Sequence, residues 1–167
     1  DGFFRWLPRQ QAKQRDILCE TAADAKQYSG SRVWAIRAIA SMPIATPQDL
    51  ARFAAAKDVA DSEAALAAHS LLDQPSAALT ALEPYLDTDR ARVAMYEVRA
   101  LLPWLTAEAS VAWLRAVLER VGRITVRKEV LRLLAGLRPP GIVELLAHWA
   151  GDEQHKDLRI AASHGLL

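Results

Sequence analysis

The chain has 167 residues, 51% hydrophobic and 25% charged, which suffices for one domain with a sizeable core and is too apolar for a disordered segment. A formal net charge of +1 gives no global pull toward nucleic acid or an anionic membrane. No apolar run approaches the roughly 18 residues of a bilayer span, and the single cysteine cannot close an internal disulfide, so a cytoplasmic setting is expected.

The chain opens with an aromatic segment, Gly2-Phe3-Phe4-Arg5-Trp6-Leu7-Pro8-Arg9. It is expected to cap the first helix pair or to dock on a further domain, in preference to touching a membrane. The abrupt start at Asp1 and the stop at Leu167 within a helical pattern point to a piece of a longer chain. A polar helix over 9–28 follows, with an Ile17-Leu18 apolar edge and Cys19 as a small apolar filler. Residues 1–27 are therefore read as an N-terminal aromatic segment with a capping helix, and 28–167 as a repeat region.

Further helices are predicted over 31–42, 47–57, 61–73, 76–86, 89–102, 107–121, 124–137, 141–150 and 155–167, and no strand. Prolines mark where they stop: Pro43, Pro47, Pro75, Pro84, Pro103 and Pro139-Pro140, with Gly151 in the same role. Thr46-Pro47-Gln48-Asp49 has the order of an N-cap, a proline in the first turn and an acid placed against the helix dipole.

Ser31–Met42, Val126–Leu137 and Leu158–Leu166 share an arginine followed by small or apolar residues three, six and seven positions later. A fourth copy begins at Ala91-Arg92, with Arg99 in an apolar slot, and a fifth over Glu63–Leu72 is displaced by one and lacks the arginine. Arg32 to Arg92 is 60 residues, Arg92 to Arg127 is 35 and Arg127 to Arg159 is 32. A unit of about 30 to 35 residues is the size of one helix-turn-helix hairpin.

The pattern Val/Leu-Arg-x-x-Ala-x-x-Ala-Leu resembles the second helix of HEAT-like repeats of the short bacterial kind, over roughly 28–167. The resemblance implies an all-α, right-handed α-α superhelix, a HEAT-like solenoid of about five antiparallel helix pairs. It also implies that the repeated arginine pairs with an aspartate near the turn. Arg92 with Asp89, and Arg159 with Asp157 or Asp152, fit that pattern, whereas Arg127 has no acid just before it.

No nucleophile elbow, phosphate loop, zinc-protease motif or cysteine pair is present, so the chain reads as a non-enzyme without metal or cofactor. His148 and His155 flank a turn with Asp152 and Glu153, a solvated arrangement more than a metal site. With Ala35, Ala38, Ile39 and Met42 on the buried side of the first copy, Arg37 falls opposite, and the register places His69, Glu97, Arg132 and His164 in equivalent positions. Such a row suits a protein partner. Trp34, close to Arg37, has the composition of an interface hot spot, while Trp104, Trp113 and Trp149 are expected to fill gaps between layers.

A protein-binding scaffold is the reading the row supports. Nucleic-acid binding, as in HEAT-like DNA glycosylases, is the alternative. It would draw on Arg32, Arg37, Arg92, Arg99, Arg127 and Arg132, with Glu97 interrupting the groove. Bilin lyases also carry short HEAT-like repeats, but no residue set here matches them.

Overall fold

A computed structural model describes residues 3–167, so Asp1 and Gly2 at the head of the aromatic segment lie outside the described residues. The described residues form ten α-helices and no strand, and each helix falls on one of the ten predicted ranges. The chain divides into two compact units, Asp1–Glu83 with Tyr96–Leu102 and Pro84–Met95 with Pro103–Leu167.

In the first unit α1 (Pro8–Ala23) packs on α2 (Ser29–Ala40), and α3 (Pro47–Ala54) on α4 (Val59–Ala68). α2 also lies along α4, so the second helix of one hairpin rests on the second helix of the next. α5 (Pro75–Leu82) closes against α3 and against the 3-10 turn His69–Leu71 that extends α4. Ile36, Ile39, Leu50, Leu66, Leu79 and Leu82 are fully buried here, each contributing roughly 1.5–3 kcal/mol of hydrophobic stabilisation.

The aromatic segment is tied to α1. Phe3 and Trp6 meet edge to face with ring centres 5.4 Å apart. The buried Gln11 amide donates to the carbonyls of Phe3 and Trp6 at 3.2 and 3.1 Å. α3 begins as its sequence dictates: Thr46 is the N-cap, Pro47 follows, and Asp49 accepts the Thr46 N–H at 2.9 Å.

α6 (Ala91–Leu101) has residues in both units. The second unit otherwise pairs α7 (Ala107–Arg120) with α8 (Ile124–Leu137), and α9 (Ile142–Ala150) with α10 (Lys156–Leu166), while α8 lies along α10. Its interior includes the fully buried Leu114, Leu118, Leu131 and Leu134. α8 ends at Arg138, whose φ of 48° is left-handed, and Gly141 starts α9 at φ 74°.

The candidate partner-binding surface

α2 has one wet side and one dry side. Ala35, Ile36, Ile39 and Ala40 are buried, whereas Trp34 is 63% exposed and Arg37, one turn on, is also exposed. Helical spacing sets Trp34 and Arg37 side by side, pointing outward, because residues three apart share a face.

The helix is held in that orientation by Arg32. Its Nε donates to both Asp61 oxygens at 3.2 and 2.9 Å, its Nη2 to Asp58 at 3.0 Å and its Nη1 to the Gln27 carbonyl at 2.9 Å. The hydrogen bond it donates to Asp61, with further attraction from Asp58, stabilises the charged guanidinium and pushes its pKa up. Asp58 is also the N-cap of α4 and accepts the Asp61 N–H at 3.1 Å. The acid that pairs with this repeated arginine thus lies in the following hairpin, 29 residues ahead.

The other arginines of the series have different partners. Arg159 pairs with Asp152, one of its two expected acids. Arg127 donates to the Val121 carbonyl and lies over the Trp149 ring at 5.5 Å. Arg92 interacts with other groups of the chain. Sequence reasoning missed Asp87, whose carboxylate accepts the N–H groups of Gly122 and Arg123 at 3.0 and 2.9 Å and so caps the start of α8 from 35 residues away. An aspartate between Leu86 and Thr88 carries no local signal of that role.

The expected row is only partly an outward surface. Arg37, Arg132 and His164 are exposed, and Arg132 lies 3.5 Å from Glu129 on its own helix. Glu97 is half-buried; burial pushes its pKa up while a hydrogen bond from Ser70 opposes the shift. His69 is a correction. It is 1% exposed, and its Nδ1 donates to the Ala65 carbonyl at 2.8 Å, with burial lowering its pKa. A neutral imidazole sealed in the core cannot touch a partner, so His69 leaves the set.

Trp104 is a second correction, because at 77% exposure it fills no gap between layers. It ends the short 3-10 turn Leu102–Trp104, which carries it past the end of α6. Trp113 and Trp149 are half-buried. Cys19 is half-buried, and burial pushes its thiol pKa up against the opposing charge of Arg52, which favours the unreactive protonated form.

His155 serves as the N-cap of α10, accepting the Asp157 N–H at 3.2 Å. Among the described residues no three His, Cys, Asp or Glu side chains converge as metal ligands would, and no helix is long and apolar enough to cross a membrane. No known family matches the chain, and no curated protein or solved structure does so either.

Proposed function

We propose that the chain is a protein-binding scaffold of HEAT-like helix pairs, which grips its partner with exposed helix faces. The observation that carries this reading is Trp34, a large indole left 63% exposed beside a cation on a helix whose opposite side is fully buried. Tryptophan and arginine are the residues that contribute most to interface affinity, since each buries a large area and retains a polar contact. In each unit the stacking of one hairpin's second helix on that of the next supports the HEAT-like reading. Arg37 offers a polar position beside Trp34 in the first unit, and Arg132 and His164 are exposed on helices of the second.

The test compares the wild-type chain with a variant carrying Trp34→Ala and Arg37→Glu. Partners captured by wild type from its source cells and identified by mass spectrometry should be lost from the variant. Both positions are exposed, so the melting temperature should stay the same. An unchanged set of captured proteins disposes of this surface.

A further inference from the structure

A groove of about 550 Å³ opens between α7 and the turn that joins α8 to α9, within the roughly 300–1,000 Å³ typical of ligand sites. Its apolar lining is Val111 and Ala112 from α7, with Leu137 from the end of α8 and Pro139 from the turn. Leu137 stays 43% exposed. Two guanidinium groups, Arg115 and Arg138, flank this lining, against the single carboxylate of Glu108.

Neither arginine takes part in an ion pair among the described residues. Arg115 Nη2 donates to the Pro140 carbonyl at 2.9 Å, but its Nε is buried without an acceptor. Arg138 sits at φ 48°, ψ 51°, a left-handed conformation that glycine or asparagine adopts at lower cost. That conformation terminates α8, and the Arg138 side chain lines the groove from this cap. Two cations against one carboxylate, beside apolar walls, complement a ligand with a carboxylate next to a large apolar group.

We propose that this groove docks an extended peptide segment of a partner protein, in which a leucine, isoleucine or phenylalanine side chain adjoins an aspartate or glutamate. The apolar side chain enters between Val111 and Leu137, and the carboxylate pairs with Arg138 and Arg115. This site is separate from Trp34 and Arg37 and stands or falls without them.

The probe is a displayed library of random octapeptides selected on the whole chain, with the most enriched peptide synthesised and titrated by NMR. Selected sequences should place a large apolar residue within two positions of an acid, and the titration should shift amides in 107–115 and 137–141. Arg138→Asn removes the charge yet tolerates the left-handed backbone, so it should weaken binding roughly tenfold without lowering the melting temperature. Leu137→Glu should abolish binding, and Trp34→Ala should leave it unchanged. The proposal is overturned if no such peptides are enriched, or if Arg138→Asn leaves their binding intact. It is equally overturned if dodecanoate shifts these amides while no peptide does, since the groove would then hold a free acyl carboxylate.

Discussion

His69 shows how a register drawn without its anchoring arginine converts a core residue into a supposed surface contact. The copy over Glu63–Leu72 lacks the arginine that anchors the others, so its alignment rests on small residues alone, and α4 is full of alanine. The register is fixed instead by Asp58 and Asp61 meeting Arg32, which turns Glu63 outward and His69 inward. Arg37 was legible as outward because Ala35, Ile39 and Met42, which define the dry side of this stretch, are buried. Burial lowers the His69 pKa from its ordinary 6.5, so on acidification the unfolded chain takes up that proton first. The contribution of neutral His69 to stability is therefore complete above pH 6.5 and is lost as pH falls through the depressed folded-state value. Thermal melts between about pH 7.5 and 5 should show wild type losing stability toward the acid end, and His69→Gln should flatten that dependence. A wild-type curve as flat as the variant's would refute it.

At the level of elements, proline and capping residues placed most helix boundaries, since a proline is accommodated in the first turn of a helix, as at Pro8, Pro47 and Pro75, but not in its interior. The ends moved by a few residues because several helices tighten into 3-10 turns, as at His69–Leu71 and Leu102–Trp104. How closely two helices approach was not legible, and two glycines make the point. A Cβ on Gly165 of α10 would lie 2.8 Å from the Ala135 Cβ and 2.9 Å from the Leu146 Cδ1, so α10 can meet α8 and α9 only without a side chain there. A Cβ on Gly136 would meet nothing within 4 Å. Urea denaturation should therefore move in opposite directions for the same chemical change. Gly136→Ala should stabilise by about 0.5–1 kcal/mol through helix propensity, and Gly165→Ala should destabilise by about 1–3 kcal/mol through overpacking. Equal shifts would show that α10 does not approach its neighbours this closely.

For the whole molecule, the recurring arginines led to the expectation of a hairpin-sized unit but not to the work each one does. The same place in the sequence pattern led to an ion pair with the next hairpin at Arg32, a backbone contact and a ring at Arg127, and a turn aspartate at Arg159. The same inward commitments weaken the case for a phosphate-binding groove. Arg32 is spent on two aspartates, Arg92 and Arg99 interact with other groups of the chain, and the net charge is only +1. Fluorescence anisotropy with duplex and single-stranded DNA should accordingly give weak binding at physiological salt. The slope of log K against log salt should be shallow, corresponding to no more than about two phosphates. Tight binding that collapses as salt rises would reverse the preference for a protein partner.

Arg32 carries a mechanical consequence for the first unit. One guanidinium gathers Gln27, Asp58 and Asp61, three points on two hairpins, and so acts as a clasp. If α3 and α4 peel away, the cation at the root of α2 loses both its counter-ions and the α4 cap loses the charge opposite it. Opening one hairpin thus raises the free energy of the other, and the two are bound to yield together, which keeps the helix bearing Trp34 from swinging independently of its foundation.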